Sequence, residues 1–226
     1  LMVNGDEVGT PPSSAAELLA WAKAHPGRFT YPKPPQFHGS SFLKQILLEL
    51  TADPAPLYRE ASDADFARLT APLWVWLDQL HLALWRKGKL FPTSAAETRQ
   101  LLDDGELAMA ISFNPGEAQS SVQNGTLPPA VRAVAMSKGA LTNSHFLAIP
   151  FNASARAGAK VVANFLLSPT AQARKADPAF WGDPSVLRQD ALPGNSQPAL
   201  RFKAVAEPHP SWQTRLEAAW AERYGH

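Results

Sequence analysis

The sequence predicts an α/β fold, and three observations point that way: two serine-capped helix starts, short strand-like runs ended by proline or glycine, and helical apolar spacing between those runs. Ser14-Ala15-Ala16-Glu17 and Ser94-Ala95-Ala96-Glu97 each set a serine three residues before a glutamate, so the serine oxygen can accept from a free first-turn N–H. The first helix carries Leu18, Leu19 and Trp21, runs to about Ala24 and stops at His25-Pro26-Gly27. The second carries Leu101 and Leu102 and stops at Gly105.

Between them, residues 28–31 read as a short strand ended by Pro32-Lys33-Pro34-Pro35, and Gly39-Ser40-Ser41 opens a helix with Phe42, Leu43, Ile46, Leu47 and Leu50 on one face. Residues 62–87 read as a longer helical region, broken or kinked at Pro72 and stopped by Gly88. Leu107, Met109, Ile111 and Phe113 alternate with small residues, giving a buried strand over 106–113 that ends at Asn114-Pro115-Gly116. Two more strands are expected over 131–136 and 145–149. Residues 156–167 form a helix before Ser168-Pro169, residues 183–210 wrap the surface, and 211–224 form a last helix with Trp212, Leu216, Ala219 and Trp220 on its apolar side.

Composition limits what such a fold does. The 21 basic and 20 acidic side chains are interleaved, without the clustered basic surplus that binds phosphate backbones, so no nucleic-acid partner is expected. Hydrophobic residues make up 45% of the chain and charged ones 18%, which supplies a core and argues against disorder. The 21 prolines imply stiff connections and sharply ended helices, and the absence of cysteine removes disulfides and thiolate chemistry. The longest apolar runs, near residues 73–84 and 159–167, are interrupted by Asp78, His81, Lys160 and Asn164, too often to span a bilayer. The chain opens at Leu1-Met2-Val3 with neither a basic segment nor an apolar stretch, so a signal peptide is expected to have been removed or left out.

The catalytic and cofactor motifs are missing: no G-x-S-x-G, no G-x-G-x-x-G, no phosphate loop, and six histidines at no metal-ligand spacing. No cofactor and no metal are expected. What remains is polar and aromatic groups at strand ends, where α/β sheets gather ligands. Ser40 and Ser41 either cap a helix or, beside Tyr31 and Phe37, hold a polar ligand group. Ser112-Phe113-Asn114 ends another strand with the same mixture. Trp74, Trp76 and Trp85 are expected to pack in the core. A different reading is a small serine hydrolase, with Ser40 or Ser41 as nucleophile and His38 or His145 as base.

Several stretches go further together: Pro26-Gly27-Arg28-Phe29-Thr30-Tyr31-Pro32 with Gly39-Ser40-Ser41-Phe42, then Asp104-Gly105-Glu106 leading to Ser112-Phe113-Asn114-Pro115-Gly116. Thr142-Asn143-Ser144-His145-Phe146, Ile149-Pro150-Phe151-Asn152-Ala153, Phe165-Leu166-Leu167-Ser168-Pro169, Trp181-Gly182-Asp183-Pro184 and Glu207-Pro208-His209-Pro210 follow. This set resembles the extracellular (periplasmic) solute-binding proteins of bacterial ABC importers, in the cluster of thiamine, iron and polyamine binders and its YnjB-like branch. The resemblance implies a type II periplasmic-binding-protein-like fold, with two α/β lobes joined by hinge strands and the first lobe incomplete in this chain. Residues 1–3 would be a hinge strand, 4–130 the second lobe, 131–190 the hinge return with the C-terminal part of the first lobe, and 191–226 a wrap and helix.

On that reading the chain is a non-enzymatic, periplasmic binding protein. Its cleft wall is expected to comprise Tyr31, Phe37, Gly39, Ser40, Ser41, Ser112, Phe113 and Asn114, with Asn143 and His145 near the hinge. The expected partners are a small-molecule solute, thiamine-like by analogy, and the membrane subunits of an ABC permease. Self-association through uncovered apolar surface over 131–149 and 159–167 is also expected.

Overall fold

A computed structural model describes residues 1–142, 145–194 and 202–225. In chain order the elements are β1 (Met2–Asn4), α1 (Ala15–Ala24), α2 (Phe37–Leu50), α3 (Asp63–His81), α4 (Ala95–Asp103), β2 (Met109–Ala110), α5 (Glu117–Gln123), β3 (Val131–Ala133), β4 (Ala140–Thr142), α6 (Arg156–Leu166), α7 (Pro169–Ala176), β5 (Ala204–Ala206) and α8 (Pro210–Tyr224). The architecture is mixed α/β, with many helices and short strands.

Both serine caps form. Ser14 accepts from the Glu17 N–H at 3.2 Å and Ser94 from the Glu97 N–H at 3.1 Å. Each glutamate reaches back one residue beyond the cap, to the N–H and hydroxyl of Ser13 or of Thr93, so four groups share each helix start. The α2 start departs from expectation. It begins at Phe37, because the Gln36 side chain accepts from the N–H groups of His38 and Gly39 at 2.7 and 3.3 Å, and the two serines are therefore no caps. Gly39 is needed for a close approach, since a Cβ there would lie 2.1 Å from the Pro32 carbonyl oxygen. At its other end α2 is closed by Lys138, whose Nζ donates to the carbonyls of Leu48, Glu49 and Thr51 at 3.2, 2.7 and 2.9 Å.

α3 runs through Pro72 and ends at His81, earlier than expected. The chain leaves the helix because its next polar groups pair elsewhere: Trp85 N–H with the Phe29 carbonyl at 2.9 Å, and the Ala83 carbonyl with Gly27 N–H at 2.8 Å. Residues 28–31 are accordingly a single parallel bridge, Phe29 to Met109, and not a strand.

The expected strand over 106–113 contracts to β2, which pairs antiparallel with β1 (Met2 opposite Ala110). β3 flanks β1 on the other side (Val3 opposite Arg132), giving the order β2-β1-β3. A second pair, β4 with β5, is parallel, with Leu141 opposite Val205. β5 lies in the stretch read as an irregular wrap, and α5 and α7 were also not anticipated; Ser168-Pro169 starts α7, with Ser168 accepting from Ala171 N–H at 3.3 Å. Residues 145–149 form no strand, because a strand needs a neighbour and none pairs with them among the described residues.

Leu43, Ile46 and Leu47 of α2, Leu73 and Leu77 of α3, and Trp220 of α8 have no exposed surface and form the centre of the main core. Each such side chain contributes about 1.5–3 kcal/mol by leaving water. Trp74 and Trp76 lie in this core as expected, with the Trp76 indole N–H donating to the Ala15 carbonyl at 2.9 Å, whereas Trp85 is half-buried. α8 is joined to α2 by polar contacts as well. Lys44 Nζ meets Glu207 at 3.0 Å and Gln213 at 2.9 Å, and Ser40 donates to Glu217 at 2.5 Å.

Candidate functional site

A cleft of about 390 Å³ opens between α2, the ends of β3 and β4, and the loops at 111–115 and 183–186. α2 presents Ser41, Phe42 and Gln45 to it. The Ser41 hydroxyl is buried and has no hydrogen-bond partner among the described residues. One turn along the same face, Gln45 is fully engaged: its Nε2 donates to the Gly139 carbonyl at 2.9 Å and its Oε1 accepts from Leu141 N–H at 3.0 Å. That bridge fixes β4 against α2, so the two walls hold a constant separation at this point.

The opposite wall is a turn packed on a turn. Ser112 donates to the Glu117 carboxylate and accepts from Asn114 N–H at 3.1 Å, while Arg99 meets the other Glu117 oxygen at 3.0 Å. Asn114 Oδ1 accepts from Gly116 N–H at 2.9 Å, and its Nδ2 donates to the Trp181 carbonyl at 3.1 Å. Gly116 and Gly182 touch backbone to backbone. A Cβ at Gly116 would lie 2.0 Å from the Gly182 oxygen, and Gly182 holds φ +71°, which no larger residue adopts at low cost. The Asp177 carbonyl closes the loop by accepting from the N–H groups of Phe180, Trp181 and Gly182 at 3.0 Å.

Charge at the cleft is internally matched. Asp183 pairs with Lys175, which also donates to the Pro184 carbonyl at 2.7 Å. His145 Nδ1 lies 3.8 Å from the same carboxylate, and its ring stacks on Trp181 at 5.9 Å between centroids. Among the described residues no group of three or more His, Asp or Glu side chains is placed to hold a metal ion, and no helix is long and apolar enough to cross a membrane.

Of the residues singled out in the sequence, Ser41, Ser112, Phe113, Asn114 and His145 come together around this cleft. Phe37 stands at its edge, 44% exposed and packed edge-on against Phe113 at 4.8 Å. Three others lie elsewhere. Tyr31 is fully buried, hydrogen-bonded to His81 Nε2 at 2.7 Å and accepting from the Trp220 indole at 2.8 Å, and burial pushes its phenol above the ordinary range. Ser40 turns toward Glu217 under α8, and Gly39 sits against Pro32. Asn143 falls outside the described residues.

Neither serine has a histidine on its hydroxyl. His38, whose imidazole burial holds below its ordinary range against the opposing pull of Glu117, faces the Gln36 amide at 3.4 Å. Gln45, Lys175 and Asp183 escaped the sequence reading as site residues. Gln45 was findable, being four residues after Ser41 on one helix face. Asp183 belongs to the Trp-Gly-Asp-Pro stretch, whereas nothing near Lys175 marks it.

Residues 1–193 match the bacterial extracellular solute-binding protein family. The chain is 49% identical over 227 residues to Protein YnjB of Escherichia coli (strain K12), covering 97% of this chain and 58% of that protein. It thus spans less than two thirds of the length of this relative. No solved structure matches it.

Proposed function

The chain belongs to the bacterial extracellular solute-binding proteins, and on that premise we propose that it serves an ABC importer as the substrate-binding component, taking a small solute into the cleft beside Ser41 and handing it to the permease membrane subunits. The observation that carries this reading is Ser41, a residue of the cleft wall whose buried hydroxyl has no hydrogen-bond partner among the described residues. A buried hydroxyl without a partner costs about 1–3 kcal/mol of desolvation, which a ligand hydrogen bond offsets. Phe42 and Phe113 supply apolar contact on either side of the cleft, while Ser112, Asn114 and His145 add polar edges.

The charged groups around the cleft are already paired, Lys175 with Asp183 and Arg99 with Glu117, so the fitting solute is polar and carries little net charge. In this proposal the wall described above belongs to the second of two lobes, residues 4–130, with 1–3 and the stretch from 131 passing through a hinge. Closure of the lobes excludes water from the solute. The protein works in the periplasm and performs no chemistry. Nothing supports the serine-hydrolase reading, because Ser40 is committed to Glu217 and no base among the described residues is hydrogen-bonded to Ser41.

Native mass spectrometry of protein purified without refolding tests the proposal, since a carried-through solute reports its own mass. Ser41→Ala is then expected to weaken its binding by about 0.5–1.5 kcal/mol. Serine-dependent turnover of an ester panel would overturn the binding reading.

A further inference from the structure

Residues 131–142 are tied firmly to α2, through Gln45 and through Lys138, but the stretch that follows is not tied to anything in the same way. Among the described residues a single hydrogen bond joins 145–194 to the rest of the chain, from Asn114 Nδ2 to the Trp181 carbonyl at 3.1 Å. Beside that bond the backbones of Gly116 and Gly182 touch. A Cβ on Gly116 would lie 2.0 Å from the Gly182 oxygen and 2.7 Å from its carbonyl carbon. Asn114-Pro115-Gly116-Glu117 is a turn closed by Glu117 N–H on the Asn114 carbonyl at 3.2 Å, and Gly116 holds φ −85° and ψ −8° in it, the type I geometry open to any residue. The missing side chain is therefore explained by the approach of Gly182 and not by the backbone of Gly116 itself.

Charge takes no part in the contact. Glu117, next to Gly116, is neutralised by Arg99, and Asp183, next to Gly182, by Lys175, so each carboxylate is paired within its own part of the chain and no ion pair crosses among the described residues. The Asn114 amide is engaged at both ends, its Oδ1 holding Gly116 N–H at 2.9 Å while its Nδ2 reaches Trp181. We propose that Asn114, Gly116 and Gly182 form an uncharged latch, which holds the 112–117 turn on the 177–186 turn and completes this wall of the cleft only while the two turns meet. The inference rests on the proposed two-lobe arrangement, in which the first turn falls within 4–130 and the second beyond the hinge. Parting of the turns would open the cleft on the side facing α2 and Ser41, so the latch sets how readily a solute leaves.

The chain has no cysteine, so Gln123→Cys on α5 and Thr170→Cys on α7, both at exposed positions, take spin labels at those two sites alone. Double electron–electron resonance on the whole chain, without solute, then reads the separation of the two parts. One narrow distance population is expected. Gly116→Ala forces the turns apart by more than about 1 Å and should replace that population by a broad, longer one. Asn114→Asp keeps the acceptor for Gly116 N–H but sets an oxygen against the Trp181 carbonyl, and should raise the ratio of open to latched chains about two- to tenfold. Far-UV circular dichroism like that of the parent distinguishes opening from unfolding, and if Gly116→Ala does not fold, Asn114→Asp decides. A narrow population in the folded variants overturns the latch, because other contacts then hold the turns together. A broad distribution in the parent overturns it too, as does one that is narrow at low salt and broad in about 0.5 M salt, which would assign the contact to charge. Since no solute enters this measurement, failure of the latch leaves the binding proposal to native mass spectrometry, and a chain that carries no solute there leaves the latch result as it stands.

Discussion

α2 and α6 are two apolar helices of one chain with opposite surroundings. α2 places Leu43, Ile46 and Leu47 at zero exposure, whereas α6 leaves Phe165 60% exposed and Val161 69%. Both show apolar residues three and four apart, so periodicity does not separate them. What separates them is distant sequence. α2 is covered by α3 and by α8, and its partners Glu207, just before α8, and Glu217, on it, arrive 163 and 177 residues after Lys44 and Ser40. The lesson is that spacing selects the helix, while burial depends on which other segments come to rest on it.

The sharpest way to break this contrast is to truncate one side chain in each region. Trp220→Ala, in the core that covers α2, is expected to cost about 3–5 kcal/mol of unfolding free energy, and Phe165→Ala less than about 0.5, both by urea denaturation. A cost above about 2 kcal/mol at Phe165 would show that α6 is already covered in this chain.

Acid should act on the core and not on α6. Burial lowers the His81 imidazole from its ordinary value to about 4, with Asp78 opposing the shift, and its Nε2 is hydrogen-bonded to the Tyr31 hydroxyl. Between about pH 6.5 and 4 the unfolded chain takes up this proton before the folded one does. Stability is therefore complete above about pH 6.5 and falls by roughly 3 kcal/mol as the pH drops through 4. Urea midpoints measured across that window, with His81→Asn flattening the curve, check the assignment.

Smaller effects distinguish the neighbouring serines. Ser40→Ala removes a hydrogen bond to a carboxylate and should cost about 1.5–3 kcal/mol, whereas Ser41→Ala removes a hydroxyl without a partner and should leave stability within about 0.5 kcal/mol or raise it slightly. Equal costs would mean that Ser41 is bonded in the folded chain. Gly39→Ala should fall between, at about 1–3 kcal/mol, because its new methyl group meets the Pro32 carbonyl.

The legible parts of the fold were those fixed by neighbours in sequence. Ser14 and Ser94 gave the starts of α1 and α4, and apolar spacing gave α6 and α8 within a residue or two. The start of α2 was missed because glutamine is an uncommon cap, and the end of α3 because Phe29 and Gly27 draw off the next backbone groups. Residues 145–149 have strand composition but no strand partner among the described residues, and composition alone cannot supply one. In the candidate site, the Ser112 turn was visible from its local chemistry. Tyr31 and Ser40 were misplaced because the helix that covers them lies at the other end of the sequence.

That separation sets a clock on the molecule. The bond between Tyr31 and Trp220 joins residues 189 apart. At about 5–20 residues per second of synthesis, roughly ten to forty seconds pass between the appearance of the phenol and that of the indole that completes its pocket. Throughout that interval Leu43, Leu47 and Leu77 lack the last wall of their core. Closure of the core thus waits for the α8 segment to be made, and the growing chain depends in the meantime on whatever shields its apolar residues from one another's copies on neighbouring ribosomes.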